Sequence, residues 1–250
     1  MEKKPNNAIY MGRILDFMER NPSWYLNVDD LCSHVLVCGR DGPSRTVVAK
    51  RLADGAHRLR CKLVVVSTTG SWSDVELGRN VTHSDSDPEL ASVVLEGQST
   101  SNVVLEMGED SPSHLNSYLS SMFDSIFSTV HRGSTRLKLL IVLNGVHDVL
   151  LDALGPRCSS IIFMERGVRE FRKWGAGILL TTEKLSRLAG DTMANFWTII
   201  HLGSSDPKEI QKSSLYFREE SPRLAKIGSR EALAVSPNYW YSEPFRLKLR

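Results

Sequence analysis

Residues 39–46 read Gly39-Arg40-Asp41-Gly42-Pro43-Ser44-Arg45-Thr46, directly after an apolar run that ends at Cys38. A glycine-bearing loop between a strand and a helix is a device for holding phosphate. Successive backbone N–H groups turn inward, a lysine meets the outer phosphates, and a hydroxyl meets their magnesium ion. The working pattern is G-x-x-x-x-G-K-[ST]. Gly39 fits its first position, Thr46 its last, and Gly42 an additional glycine inside it, while Ser44 and Arg45 replace the second glycine and the lysine. Each departure has a physical cost. Ser44 meets a steric penalty in backbone angles that glycine adopts freely. Pro43 brings no N–H, and the broad fork of Arg45 cannot occupy the pocket of a compact ammonium without displacement. Alone, the string reads equally well as an ordinary strand–turn–helix.

The elements that must position this loop are strand-length runs, mostly apolar on both faces: His34–Cys38, Leu63–Ser67, Val103–Met107, Leu137–Leu143, Gly177–Thr182 and Thr198–Leu202. That character fits buried parallel strands. Helical patterns alternate with them. The clearest spans Ser113–His131, with Leu115, Tyr118, Leu119, Met122, Phe123, Ile126, Phe127 and Val130 on one face, Ser113 as N-cap and Gly133 after the last turn. Others cover Ser44–Arg60 and about Ser160–Trp174. Strands alternating with helices predict a βαβ architecture with a mostly parallel sheet. The alternation of Phe245, Leu247 and Leu249 with Arg246, Lys248 and Arg250 predicts a half-exposed strand in a hairpin with Ala232–Val235. The Ser- and acid-rich stretch Ser84–Ser101 reads as a surface excursion.

The 250 residues are 41% hydrophobic and 24% charged, with net charge +2. That apolar fraction supports a real core and excludes wholesale disorder, and the near-neutral balance makes any nucleic-acid surface a local matter. Two segments are basic: Arg40, Arg45, Lys50, Arg51, Arg58, Arg60 and Lys62 in one, Arg166, Arg169, Arg172 and Lys173 in the other. Residues 80–130 contain no Lys or Arg. Such segments are solvated faces, or they mark a head-to-tail oligomer or a polyanion partner such as DNA. Cys32, Cys38, Cys61 and Cys158 are widely spaced and fit buried thiols in a reducing compartment rather than a zinc or disulfide framework. No apolar run approaches a bilayer span of roughly 20 residues, and MEKKPNNAIY lacks a signal peptide's apolar stretch. The expectation is a soluble cytoplasmic protein without membrane association.

Taken together with the loop, several segments give the chain a resemblance to HerA/FtsK-type P-loop ATPases, the ring-forming DNA translocases. The lead-in Met11–Arg13 and Tyr25–His34, the turn Ser67-Thr68-Thr69-Gly70-Ser71-Trp72, and Asn144-Gly145-Val146-His147 after a strand all look like family segments. So does the closing stretch Leu224–Arg250, and most specific is Arg172-Lys173-Trp174-Gly175-Ala176-Gly177 running on to Glu183. The resemblance implies a single RecA-like P-loop NTPase domain over residues 1–250: a mostly parallel sheet flanked by helices, with a C-terminal antiparallel hairpin, no N-terminal barrel and no long helical insertion.

The resemblance also implies where catalytic groups would stand, and there the chain departs from the family. The Walker A lysine is Arg45, the Walker B aspartate Asn144, the adjacent glutamate Gly145 and the polar sensor Glu183. An amide supplies no charge for Mg²⁺, a glycine cannot activate water, and a glutamate repels a γ-phosphate. The implied reading is a pseudo-ATPase with a weak or lost nucleotide site at Gly39, Gly42, Ser44, Arg45 and Thr46. ATP and Mg enter only if that loop still binds, and no other cofactor or metal is expected. Such a subunit works through protein partners or as a homo-oligomer, with Arg172 available as an arginine finger to a neighbouring active subunit. The alternatives are a nucleic-acid-binding module using the two basic segments and a divergent ATP-dependent translocase with Asp148 as base. His147 is expected to be buried and hydrogen-bonded, and Trp72, Trp174 and Trp197 to serve core or interface packing.

Overall fold

Apolar on both faces, the runs found in the sequence can be covered only from two sides, and they form the centre of a mixed sheet. The computed structural model describes residues 6–15, 21–70, 72, 81–82, 102–107, 111–129, 136–236 and 243–250. Within them lie the strands β1 (Ala8–Leu15), β2 (Ser23–Asn27), β3 (Val35–Cys38), β4 (Lys62–Ser67), β5 (Val81–Thr82) and β6 (Val103–Glu106). These are followed by β7 (Leu139–Asn144), β8 (Ala176–Thr182), β9 (Thr198–His201), β10 (Glu231–Val235) and β11 (Phe245–Leu249). The helices are α1 (Gly42–Arg58), α2 (Pro112–Thr129), α3 (Val146–Leu154), α4 (Ser159–Glu170), α5 (Gly190–Met193) and α6 (Pro207–Phe217).

All described strands join one sheet in the order β2-β1-β11-β10-β9-β3-β8-β7-β4-β6-β5. From β9 to β5 the pairs are parallel; from β2 to β9 they are antiparallel. The mostly parallel sheet and the C-terminal hairpin β10–β11 agree with the expected RecA-like P-loop architecture. The segment before β3 is more than a lead-in: β1 and β2 form a hairpin that extends the sheet through β11. Helix α1 packs Val48, Ala49, Leu52, Ala53 and Ala56 on one face of the sheet. On the other, α2, α4 and α6 contribute Phe123, Phe127, Met164, Val168 and Phe217. There Phe127 and Phe171 stand 4.8 Å apart between ring centroids.

Two helix starts differ from the sequence expectation. Helix α1 begins at Gly42, two residues before Ser44, because the Asp41 carboxylate caps it and Pro43 falls in the first turn. Helix α2 begins at Pro112, with Ser111 Oγ accepting the His114 N–H at 3.2 Å. The capping hydroxyl is therefore Ser111, since Pro112 is already pre-set for the first turn. The acid-rich stretch Ser84–Ser101 and Gly133 lie outside the described residues.

Candidate functional site

The loop of residues 39–46 leaves the carboxyl end of β3 between the tips of its parallel neighbours β8 and β9, where open α/β sheets hold their ligands. Gly39 has φ +128°, and a Cβ there would lie 2.9 Å from the Leu202 nitrogen. Glycine is required because the chain passes hard against the end of β9. The Gly39 N–H donates to the Glu183 carbonyl (3.2 Å) and the Arg40 N–H to the Gly203 carbonyl (3.3 Å).

At the helix end of the loop, Asp41 Oδ1 accepts the Ser44 N–H at 3.2 Å and Asp41 Oδ2 accepts the Ser44 hydroxyl at 2.6 Å. The Ser44 hydroxyl first, then its N–H, hold the Asp41 carboxyl below the usual carboxylate range, with Arg45 and Arg40 adding to the effect. The Arg45 N–H continues the helix to the Asp41 carbonyl (3.0 Å), and its guanidinium turns back to donate to the Gly39 carbonyl. The N–H groups of residues 39, 40, 44 and 45 thus have protein acceptors, and Pro43 has none to offer. Asp41→Ala removes the cap and is expected to cost about 1 kcal/mol, whereas Asp41→Asn keeps an accepting oxygen and costs little; urea unfolding of both variants checks this.

Beneath the loop lies a neutral cluster. Asn144, at the end of β7, accepts the Thr181 hydroxyl at 3.0 Å and donates its amide to Thr69 Oγ1 at 2.8 Å and Ser67 Oγ at 3.3 Å. Thr46 Oγ1 lies 3.4–3.5 Å from both ends of the same amide. Thr46, Ser67, Asn144 and Thr181 are all buried, and their mutual hydrogen bonding offsets the cost of that burial. Gly145 follows with φ +74°; a Cβ there would lie 2.8 Å from Thr68 Oγ1, and its N–H goes to Thr181 Oγ1 at 3.0 Å. A larger side chain at residue 145 would force the turn after β4 aside.

Glu183 meets the loop through its backbone, and its own N–H donates to Asp148 Oδ2 at 2.7 Å. Asp148 also accepts the Thr182 hydroxyl at 2.7 Å and pairs with Arg187 at 3.4 Å. Burial acts to raise the Asp148 carboxyl, but His147, the Thr182 hydroxyl and the Glu183 N–H outweigh it and hold it below its ordinary value. These contacts make Asp148 a tie between α3 and the tip of β8, and a poor proton acceptor. His147 is buried as expected, but the expected hydrogen bond is not made at Nδ1, which stands 4.0 Å from Asp148 Oδ1 and has no hydrogen-bond partner among the described residues.

Arg172 lies before β8, at the end of the strands opposite the loop, with its guanidinium 4.7 Å from the Trp197 ring centroid. Trp197 is partly exposed, Trp72 is buried, and Trp174 packs against the aromatic cluster. The two basic segments occupy opposite faces of the sheet, one on α1 and the other on α4. Within them Arg58 pairs with Asp54 and Arg166 with Glu170. Cys32, Cys38 and Cys61 are buried and free, and burial pushes the Cys61 thiol up to about 11. Among the described residues no cluster of His, Cys, Asp and Glu is arranged to hold a metal ion, and no helix is long and apolar enough to cross a membrane.

Sequence reasoning passed over two acids. Glu106, at the end of β6, takes the N–H groups of Gly70 (2.9 Å) and Trp72 (2.6 Å) and so fixes the turn after β4. Its one readable signal is a charge at the end of an apolar run. Glu209, on α6, is fully buried; it accepts the N–H groups of Leu185 and Ser186, and His201 Nε2 stands 3.4 Å from its Oε1. Nothing in the local pattern of α6 marks it.

No protein-family model matches the chain, and no curated protein matches it in sequence. Solved structures share its fold. The genome packaging NTPase B204 of Sulfolobus turreted icosahedral virus 2, in complex with AMPPCP, superposes with TM-score 0.62 at 13% identity, covering 90% of this chain and 100% of that one. VirB4 of Thermoanaerobacter pseudethanolicus gives 0.71 at 10% identity, covering 98% and 97%. The pCW3 conjugation coupling protein TcpA, with ATPgS, gives 0.61 at 10% identity, covering 99% and 66%.

Proposed function

We propose that this RecA-like chain is a non-hydrolysing counterpart of the packaging and conjugation ATPases whose fold it shares. It would act as a structural or regulatory subunit through protein–protein contacts in a DNA-processing assembly. The observation that carries the reading is that the N–H groups of residues 39, 40, 44 and 45, and the side chains of the cluster beneath, already have protein partners. Asp41 places a carboxylate where the helix N-terminus would otherwise favour a phosphate, and Arg45 is turned onto a backbone carbonyl. Asn144, which the resemblance aligns with a metal-binding aspartate, is engaged by three hydroxyls in neutral hydrogen bonds. A magnesium–triphosphate does not fit that arrangement: it needs free donors and a negative ligand, and every one of these groups would have to be released first. Phosphoryl transfer rests on charge compensation and positioning, so loss of lysine, metal ligand and base together removes most of its driving apparatus.

Titration with Mg-ATP in a calorimeter, paired with a phosphate-release assay, tests the reading. The expected result is no saturable heat at micromolar nucleotide and no release above background. Micromolar binding with turnover overturns it. Oligomerisation and mixing with an active ATPase are the partner modes this proposal favours, because a scaffold without turnover acts through what it touches.

A further inference from the structure

Strand β2 ends the sheet, and among the described residues it pairs with β1 alone. At the two ends of that pairing the Ile14 N–H donates to the Pro22 carbonyl at 2.8 Å and the Val28 N–H to the Asn7 carbonyl at 2.9 Å. Between them the register runs Ala8–Asn27, Ile9–Leu26 and Tyr10–Tyr25, then, past a bulge, Gly12–Trp24 and Arg13–Ser23. Residues alternate along an antiparallel ladder, so Trp24 and Leu26 turn their backbone groups toward β1. Ser23, Tyr25 and Asn27 turn theirs outward. Exposed edges are ordinarily blunted by charged side chains, a proline in the strand, or a bulge that twists it away. Ser23–Asn27 reads SWYLN, with no charge and no proline, and the extra residue of the bulge, Met11, belongs to β1. Trp24 and Leu26 are buried, which fixes the strand to the core. The Tyr25 ring lies 5.3 Å from that of Tyr10.

We propose that this edge pairs with the same edge of a second copy of the chain, antiparallel about a two-fold axis at Tyr25. The outward residues are spaced evenly about Tyr25, so the strand is its own complement. Tyr25 faces Tyr25 of the second copy, and Ser23 faces Asn27 on either side. A two-fold contact demands this self-complementarity. The ladder sets no like charges against each other, whereas a charged edge would meet its own charge on pairing with itself. The facing tyrosines extend the Tyr10–Tyr25 pair into a continuous aromatic row across the axis, and cross-strand aromatic pairs are among the favourable ones. A foreign strand would gain the same backbone bonds without this symmetric match of side chains. A head-to-tail ring contact joins two different surfaces; this one uses a single surface twice and closes at a dimer. It does not rest on the reading of the loop after β3.

The test is sedimentation equilibrium of the whole chain, from about 1 to about 200 μM. A five-residue ladder lies at the small end of specific interfaces, so the expected result is a monomer–dimer equilibrium with a micromolar dissociation constant. Tyr25→Lys and Tyr25→Glu each set two like charges against each other at the axis, and each is expected to weaken the dimer at least about tenfold. An equimolar mixture of the two should recover most of the lost affinity, because opposite charges then face across the axis. That recovery also shows both variants to be folded. Hydrogen exchange of the parent gives a second reading that needs no substitution. The amides of Ser23, Tyr25 and Asn27 should gain protection as concentration rises, while those of Trp24 and Leu26, turned toward β1, should not respond to it. The proposal is overturned by a monomer throughout the range, by variants that associate like the parent, or by a mixture no tighter than either variant alone. Exchange at Tyr25 that is independent of concentration overturns it too. Mg-ATP titration reads the loop after β3, so either result can fail without the other.

Discussion

Glu209→Ala is expected to destabilise the protein by about 2–5 kcal/mol, because two buried backbone donors lose a charged acceptor at about 1–3 kcal/mol each. The Glu209 side chain is 1% exposed and that of His201 0%. Burial acts to raise the Glu209 carboxyl; His201 and the N–H groups of Ser186 and Leu185 overcome it and hold it below its ordinary value. The carboxylate is therefore charged and fully engaged. His201 Nδ1 accepts the Gly203 N–H at 3.2 Å, and its Nε2 faces the acid at 3.4 Å. Deletion strands two backbone donors and an imidazole in the buried interior, and it unfastens the turn after β8 from α6. Lys212, one turn further along α6, donates to the carbonyls of Ser186 and Leu188 at 3.3 and 3.2 Å, so the turn retains a second anchor. Glu209→Gln keeps one acceptor and should lose less than alanine does. Urea unfolding at neutral pH gives both values, and a loss below about 1 kcal/mol for the alanine variant would show that the buried carboxylate does not hold the turn.

Acid should destabilise the protein from pH 6.5 downwards, and His34 should be the largest single reason. Burial drives the His34 imidazole from 6.5 to about 3; Arg172 lowers it further, against an opposing hydrogen bond at the Val168 backbone. Its Nδ1 accepts the Ile178 N–H at 2.9 Å, a role open only to the neutral ring. The folded state refuses a proton that the unfolded chain takes below pH 6.5. Stability from this group is complete above that pH and is lost at about 1.4 kcal/mol per unit below it, the loss reaching about 4–5 kcal/mol at pH 3. Asp148 and Glu209, whose folded pKa values are depressed, lose their contributions lower down, as pH falls through the carboxylate range. His34→Asn retains an acceptor and tolerates the positive φ of +61° at this position. The difference in unfolding free energy between parent and variant isolates the imidazole, because the carboxylates are common to both. It should change with pH between 6.5 and 4; two parallel profiles would remove His34 from the account.

The parallel half of the fold was legible because its strands carry a strong local signal. Val35–Cys38, Lys62–Ser67 and Leu139–Asn144 are almost wholly buried, and such strands must be apolar throughout. Strand β1 hides better. Its register shifts between Tyr10 and Gly12, so the two-residue alternation breaks in mid-strand, and glycine and arginine at its centre argue against a strand. Helix α6 hides for another reason. Residues Pro207–Phe217 present Glu209 and Ser213 to the interior, and a buried acid looks like a solvated one until its partners arrive from β9 and the turn after β8. At the candidate site, the identities of Arg45, Asn144 and Gly145 could be read directly. What Arg45 does could not, because turning a guanidinium onto the Gly39 carbonyl depends on how Asp41 ends the helix. The chemistry of Asn144 likewise depends on hydroxyls from three other segments, Thr46, Ser67 with Thr69, and Thr181.

The placement of β11 between β1 and β10 sets a timetable for synthesis. A chain emerging from the ribosome delivers β1 and β2 first, yet the strand that joins them to the rest comes more than two hundred residues later. Until then the hairpin has no sheet to enter, and a two-stranded hairpin alone is marginal in water. Contacts of such sequence separation close slowly and leave apolar edges uncovered meanwhile. A nascent chain arrested before Phe245 should therefore be the form that chaperones retain and proteases remove.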